Sequence, residues 1–154
     1  MTTIRPFSIF DLFKFNNVNL DILTETYHTN FYGKYLAIWG EYNVSAENSS
    51  GMIEGYVLGN NMINFISSFI NLGKVEGEKK DEVKKNWHGH VTAVTVAPYF
   101  RRQGLARALM NFLEKVSEEI HNGYFVDLFV RSSNTVAINM YKKLGYDIYQ
   151  TVDQ

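Results

Sequence analysis

The sequence of 154 residues contains no cysteine. A chain without thiols forms no disulfide bonds, has no cysteine-ligated zinc site and offers no cysteine nucleophile. Covalent catalysis through a thiol intermediate is therefore excluded, and a group-transfer reaction by this chain would pass directly between two bound substrates.

An excess of charge of either sign is also absent. The 15 Lys and Arg residues and 16 Asp and Glu residues give a net charge of −1. A nearly neutral chain has no general affinity for polyanions, which argues against nucleic acid as the main ligand. The densest basic stretch, at residues 79–85, is interleaved with acidic residues and is typical of a solvated loop.

Long hydrophobic runs are missing as well. The most apolar stretch, residues 62–72, is interrupted by Asn64, Ser67, Ser68 and Asn71 and is too short to span a bilayer. Residues 1–6 do not resemble a secretory signal. With 45% hydrophobic and 15% aromatic residues, the chain is expected to form one compact domain over residues 1–154, in the cytoplasm.

The periodicity of the sequence predicts strands that alternate with helices. Ser8 and Asp11 resemble a capping pair for a first helix, and the polar turn at 48–51 joins two strands as a hairpin. Residues 60–85 are interpreted as an inserted loop with one short helix at most. This order indicates an α/β (α+β) fold with a mixed central sheet flanked by helices. The predicted strands cover residues 2–7, 42–47, 52–58, 88–97, 124–130 and 146–152, and the later helices cover residues 31–39, 105–120 and 134–144.

The most informative motif is the run Arg-Arg-Gln-Gly-Leu-Ala at residues 101–106. It follows an apolar strand and Pro98, and it opens an amphipathic helix. A strand, a tight turn and a helix N-terminus together form a phosphate site, because the first-turn N–H groups are unpaired and the helix dipole is positive there. Gly104 permits close approach of an anion. A solvated basic helix start is the alternative. The predicted apolar stripe of this helix is Leu105, Leu109, Leu113, Val116 and Ile120.

A second block lies at residues 134–146. Asn134 begins the predicted helix and Gly145 ends it. Tyr141 follows Asn134 by about two helical turns, so both residues fall on one face. An aromatic residue on a helix usually belongs to the core, and the pairing with Asn134 favours a functional role for Tyr141.

Together the two blocks resemble the acyl-CoA-binding core of the GNAT acetyltransferase superfamily. The resemblance implies the GNAT fold, with acetyl-CoA as cosubstrate and no metal. It implies that the first block cradles the CoA pyrophosphate and that Asn134 contacts the cofactor. The Tyr141 hydroxyl then lies beside the thioester sulfur, where it protonates the leaving thiolate. The cofactor-binding residues implied in this way are Thr95, Val96, Arg101, Arg102, Gln103, Gly104, Leu105, Ala106, Asn134 and Tyr141.

Three further runs, at residues 21–27, 87–93 and 126–131, are similar to the catalytic subunits of N-terminal acetyltransferase B (NatB). The run Trp-His-Gly-His-Val-Thr-Ala is the most specific of them. The similarity implies acetylation of the α-amine of proteins that begin with Met followed by Asp, Glu, Asn or Gln. It also implies a heterodimer with a large helical-repeat auxiliary subunit, at the ribosome, without direct contact to nucleic acid or membrane.

The same resemblance assigns peptide-site residues. His90 and Thr92 share one strand face with His88. His90 is a candidate to accept a proton from the attacking ammonium, or to donate a hydrogen bond to an acidic second residue. Glu25 and Tyr27 are placed over the peptide N-terminus, and Phe129 in the wall of the Met pocket. The alternatives are backbone-bonded histidines, a capping Glu, a packing Tyr and a core Phe.

The N-terminal helices are rich in aromatic residues, which indicates either a partner surface or a large aromatic core. Family members continue beyond the position of Gln154, so we expect either a truncated chain or an absent part of the substrate lid. Two alternative functions stay open. They are acetyl transfer to lysine or small amines, and a non-catalytic acetyl-CoA-binding scaffold. The aromatic residues in question are Phe10, Phe13, Phe15, Phe31, Tyr32, Tyr35 and Trp39.

Overall fold

A computed structural model describes residues 1–21, 24–63, 70–75 and 87–151. The chain divides into two compact units. The first unit comprises Met1–Asn60 and Ala93–Leu113, and the second comprises Asn61–Thr92 and Glu114–Gln154. The expectation of a single domain stays a prediction, and each unit is described by itself.

The first unit is built on an antiparallel meander. Strand β1 (Thr2–Pro6) pairs with β2 (Val44–Asn48), which pairs with β3 (Ile53–Ile63). The Asn48 side chain accepts hydrogen bonds from the N–H groups of Ser50 and Met52, at 3.0 and 2.9 Å, and so closes the turn between β2 and β3. The predicted hairpin is therefore confirmed.

The predicted first helix is present only as a 3-10 turn (Ile9–Phe13), and a short helix that was not predicted, α1 (Asn16–Asn19), follows it. The capping pair is formed, since the Ser8 N–H donates to the Asp11 carboxylate at 2.8 Å. Arg5 donates two further bonds of 2.8 Å to Asp11. Helix α2 (Thr29–Trp39) begins two residues before its predicted start.

Aromatic rings fill the core of the first unit. Phe7 packs against the rings of Tyr32 and Tyr56, with centroids 6.4 and 5.6 Å apart. Of the aromatic residues singled out in the sequence, Phe15, Tyr32 and Tyr35 are buried, and Phe31 and Trp39 pack partly buried against them. Phe10 and Phe13 remain 69% and 82% exposed. Most of these aromatic residues therefore belong to the core, and the two exposed ones remain available for a partner surface.

The second unit contains a mixed sheet of order β5-β6-β4-β7. It includes the first part of β5 (Trp87–Val96), which runs parallel to β6 (Phe125–Val130). Strand β4 (Ile70–Val75) is antiparallel to both β6 and β7 (Asp147–Gln150). The sheet contains both parallel and antiparallel pairs, as the sequence predicted.

The interpretation of residues 60–85 as a loop is wrong where this segment is described. Strand β3 continues to Ile63, and β4 pairs with every residue of β6. The physical reason is that the apolar strand β6 requires a hydrogen-bonding neighbour on each side, and β4 supplies one of them. Residues 64–69 and 76–86, where a short helix was considered, lie outside the described residues.

Two further helices lie in the second half of the chain, α3 (Leu105–Glu119) and α4 (Thr135–Lys143). Leu109, Leu113 and Val116 are buried as the apolar stripe predicts. Ile120 is 62% exposed, and its assignment to the core was wrong because the helix ends at Glu119. None of the helices in the described parts of the chain has both the length and the hydrophobicity to cross a bilayer.

Strand β5 approaches the C-terminal part of α3 very closely at Gly89. A Cβ atom built on Gly89 would lie 2.6 Å from the Ser117 Oγ atom and 2.8 Å from its Cβ atom. Glycine is therefore the residue that this contact requires. It also directs the flanking residues, His88 and His90, to the face of β5 opposite Ser117.

We predict that Gly89→Ala lowers the free energy of unfolding by about 1–3 kcal/mol, because the new methyl group overpacks the contact with Ser117. Gly33→Ala in α2 is the matched control, since a Cβ atom there meets nothing within 4 Å and alanine favours the helix. Denaturant unfolding of both variants measures the difference. A neutral Gly89→Ala variant would contradict the prediction, and Ser117→Gly should restore part of the loss.

Candidate active site

The turn before α3 forms a backbone pocket of the kind that binds anions. After a 3-10 turn at Pro98–Phe100, Arg102 and Gly104 adopt the left-handed conformation, with φ values of 63° and 78°. The Ala108 N–H donates to the Gly104 carbonyl at 3.0 Å. The amides of Leu105 and Ala106, one turn earlier, therefore have no acceptor within the helix.

The surface above Gly104 is open. A Cβ atom built there would meet nothing within 4 Å. A phosphate or pyrophosphate group could bind here. It would accept hydrogen bonds from the amides of the turn, and it would lie at the positive end of a 15-residue helix. Gln103 is exposed beside this opening, and Leu105 and Ala106 are partly buried beneath it.

The two arginines of the turn have different surroundings. The Arg101 Nε atom donates to the Val96 carbonyl at 2.9 Å, and its guanidinium forms an ion pair with Asp21. Arg101 therefore holds the turn against β5. Arg102 is exposed, and its charge faces solvent. The sequence interpretation gave both residues the same role.

Thr95 and Val96, the other predicted cofactor residues of this unit, are both buried. The Thr95 hydroxyl lies 2.9 Å from the Thr24 hydroxyl and shares a hydrogen bond with it. The Val96 carbonyl is the acceptor for Arg101. These contacts join the end of β5 to the segment before α2.

Glu25 and Tyr27 lie between α1 and α2, in the predicted loop. Glu25 is exposed. The Tyr27 ring stacks on Phe31 with centroids 4.1 Å apart, and its N–H donates to the Tyr32 hydroxyl at 3.3 Å. Burial raises the pKa of Tyr27 to about 12. Tyr27 thus makes packing contacts, and its placement over the peptide N-terminus stays a prediction.

In the second unit, one buried carboxylate lies between two buried imidazoles. His90 pairs with Asp127 across the parallel strands β5 and β6. The His90 Nδ1 atom lies 2.8 Å from one Asp127 oxygen, and the His88 Nε2 atom lies 3.4 Å from the other. Burial by itself would raise the pKa of Asp127. The hydrogen bonds from the two imidazoles outweigh it and lower the pKa far below the usual range.

Asp127 is the residue that the sequence interpretation missed. It lay within a run quoted for its similarity, but no role was assigned to it. The available signal was an acidic residue between Val126 and Leu128 in an apolar strand, because a buried carboxylate requires a partner. Two histidines at strand spacing were the natural candidates.

The structure brings Phe129 and His90 together, and their assignment to a peptide site stays a prediction. Their ring centroids are 4.9 Å apart. Phe129 is partly buried on β6, on the same face as Asp127 by strand alternation. Thr92 follows His90 on the same face of β5 and is also partly buried. The His88 ring stacks on Phe125 at 4.4 Å.

Asn134 and Tyr141 mark the two ends of α4. The Asn134 side chain caps the helix by accepting a hydrogen bond from the Ala137 N–H at 3.1 Å. Tyr141 is buried, with its ring edge-on to Tyr146 at a centroid distance of 6.0 Å. Burial raises the pKa of Tyr141 well above its ordinary value, because it disfavours the charged phenolate. Gly145, with φ of 95°, follows the helix end as predicted.

The predicted site residues are thus distributed over both units. The first unit holds the anion-binding turn with Thr95, Val96, Glu25 and Tyr27. The second unit holds Thr92, the His90–Phe129 pair and both residues of α4. No group of three or more His, Asp or Glu side chains within the described part of the chain could hold a metal ion.

Comparison with known proteins identifies the class. The Acetyltransferase (GNAT) family model matches residues 17–146. N-alpha-acetyltransferase 20 of Dictyostelium discoideum is 55% identical, over 99% of this chain and 77% of that protein. The NatB complex catalytic subunit NAA20 of Arabidopsis thaliana is 52% identical, over 99% of this chain and 76% of that protein.

Solved structures agree with these matches. Naa20 of Chaetomium thermophilum, in complex with a bisubstrate analogue, superposes with a TM-score of 0.79 and 38% identity, covering 96% of this chain and 72% of that one. A NatB complex bound to CoA and MES gives a TM-score of 0.76 and 36% identity, covering 96% of this chain and 85% of that one.

The fold is therefore that of a GNAT acetyltransferase. Within that family, the chain belongs to the catalytic subunits of N-terminal acetyltransferase B. The predicted fold and the predicted enzyme class, an N-terminal acetyltransferase, are thereby confirmed. Membership of the NatB family implies an auxiliary subunit as partner.

Proposed function

We propose that this chain transfers the acetyl group of acetyl-CoA directly to the α-amine of proteins beginning Met-Asp, Met-Glu, Met-Asn or Met-Gln, through the residues named above. The observation that carries the proposal is the adjacent pair Phe129 and His90. An aromatic ring offers an apolar surface to the Met side chain, and an imidazole beside it offers a hydrogen bond to a polar second residue.

The transfer takes place in a ternary complex, because the chain has no thiol to carry an acetyl group. Acetyl-CoA supplies the activated thioester. The peptide amine attacks the carbonyl carbon, the carbon–sulfur bond breaks, and the amine loses one proton while the sulfur gains one. We assign this proton donation to the Tyr141 hydroxyl, which like any phenol is protonated at neutral pH.

The turn at residues 101–106 binds the CoA pyrophosphate mainly through backbone amides, and Arg102 adds charge while Arg101 braces the loop. We predict that Gly104→Trp lowers acetyl-CoA affinity by more than about tenfold, because the indole fills the opening above Gly104. Gly104→Asn is the matched control, since Asn tolerates the left-handed conformation with less bulk. Calorimetric titration of folded variants measures both. If Gly104→Trp bound acetyl-CoA as tightly as the parent, the turn at residues 101–106 would not be the pyrophosphate-binding site.

The phenol of Tyr141 acts in the transition state, where negative charge develops on sulfur. We predict that Tyr141→Phe lowers kcat about ten- to a thousandfold and changes the KM for acetyl-CoA much less. Tyr146→Phe is the control, because that hydroxyl donates to Glu114 at 2.8 Å and has no part in the transfer. An unchanged kcat in Tyr141→Phe would remove Tyr141 from the mechanism.

An apolar surface on the first unit suits a large helical-repeat auxiliary subunit. Phe10, Phe13 and Leu20 are 69%, 82% and 84% exposed, and all three lie in the first 20 residues. Exposed side chains of this size are typical of a partner interface. The complex is proposed to act in the cytoplasm, on nascent chains at the ribosome.

Acetyl transfer to Met-Asp, Ser-Glu and Met-Leu peptides, with and without the auxiliary subunit, tests the function. We predict preferential transfer to Met-Asp that rises when the subunit is added. Phe13→Ser should reduce this rise, whereas Ile120→Ser, a change at another exposed apolar residue, should not. Preferential transfer to internal lysine or to small amines would favour the first alternative function. No transfer in the full complex would favour a scaffold.

A further inference from the structure

Asp127 lies between two imidazoles, and the acetyl transfer described above assigns no role to this buried carboxylate. Each of its two oxygens faces a different imidazole, His90 at 2.8 Å and His88 at 3.4 Å. All three side chains are buried in the second unit. The pairing is set by the backbone, because His90 and Asp127 are register partners in the parallel strands β5 and β6.

The carboxylate determines which nitrogen of His90 carries a proton. An ionised carboxylate only accepts hydrogen bonds, so the His90 Nδ1 atom at 2.8 Å must be the donor. With Nδ1–H held by Asp127, the Nε2 atom is the end of the ring left for a substrate. Nε2 accepts a hydrogen bond when the ring is neutral, and it donates one when the ring is charged.

A Met-Asp or Met-Glu N-terminus brings a second carboxylate to a site that already contains the Asp127 anion. Two carboxylates on either side of one imidazole repel each other unless the ring between them carries a positive charge. A charged ring that donates from both nitrogens gives each carboxylate a charge-assisted hydrogen bond.

We propose that Asp127 is a specificity-determining positioning residue. Through the Nδ1–H bond it fixes the orientation of His90, so that the Nε2 atom faces the acidic side chain at the second position of the substrate and donates a charge-assisted hydrogen bond to it. His88 holds the other oxygen of Asp127 and keeps the carboxylate in place. This inference rests on the proposed function and extends it from a single histidine to the group His88, Asp127 and His90.

The proposal distinguishes acidic from neutral second residues. Met-Asp and Met-Asn are similar in size, but only Met-Asp gains the full charge-assisted bond. Asp127→Asn keeps the shape of the side chain and removes the charge. It should therefore lower the ratio of kcat/KM for Met-Asp to kcat/KM for Met-Asn by about tenfold, which is the difference between a charged and a neutral hydrogen bond. A merely structural role would lower both values together.

The experiment measures this ratio for the chain in complex with its auxiliary subunit. Both peptides are assayed in one preparation, so the ratio does not depend on the fraction of folded enzyme. Asp127→Ser, which removes the charge without adding an amide, is the second variant. Glu54→Gln is the control. Glu54 is a buried carboxylate of the first unit that accepts from the Thr2 hydroxyl at 2.6 Å, and its loss should leave the ratio unchanged.

A double-mutant cycle with His90→Ala completes the test. If Asp127 acts through His90, Asp127→Asn should not lower the ratio further when His90 is absent. Equal losses on Met-Asp and Met-Asn in both Asp127 variants would overturn the inference and leave the proposed function intact. An unchanged ratio in His90→Ala would overturn it as well. A parent complex without transfer to either peptide would refute the proposed function, and the inference with it.

Discussion

The close contact between β5 and α3 at Gly89 is the constraint on which the second unit depends. Because the strand has no side chain at that position, it packs directly against Ser117. The alternation of a strand then directs His88 and His90 to the opposite face. The register of β5 with β6 brings Asp127 to the same face. The glycine permits the close packing of β5 on α3, and the strand register places the buried carboxylate beside the histidines.

Much of the fold could be predicted from local pattern. The capping pair at Ser8, the hairpin, the strand before residue 98 and the helices of both cofactor blocks all depend on neighbours a few residues away. Strand β4 could not be predicted in this way, because its sequence is mixed in character and its pairing is decided by β6, more than fifty residues later along the chain. The division of the aromatic residues between core and surface likewise depends on distant partners.

The same distinction applies to the site. Gly104 and Asn134 have roles in backbone geometry, and a local motif is sufficient to find them. Arg101 and Asp127 have roles that depend on partners separated by 80 and 37 residues. A sequence motif therefore gave Arg101 the same role as Arg102, and it gave Asp127 none. The buried acidic residue in an apolar strand was the one local sign that such a partner exists.

The pKa values of two buried groups of the second unit are shifted in opposite directions, because only one of the two groups has hydrogen bonds that favour its charged form. Burial disfavours the charged form of both Tyr141 and Asp127. For Tyr141 burial is the sole cause of the shift, so the phenol stays neutral. Two imidazoles reverse the effect at Asp127, which remains an anion. One unit therefore provides an acid that keeps its proton and a carboxylate that loses it. Such separation of protonation states is what proton transfer to a leaving group and recognition of a charged substrate both require.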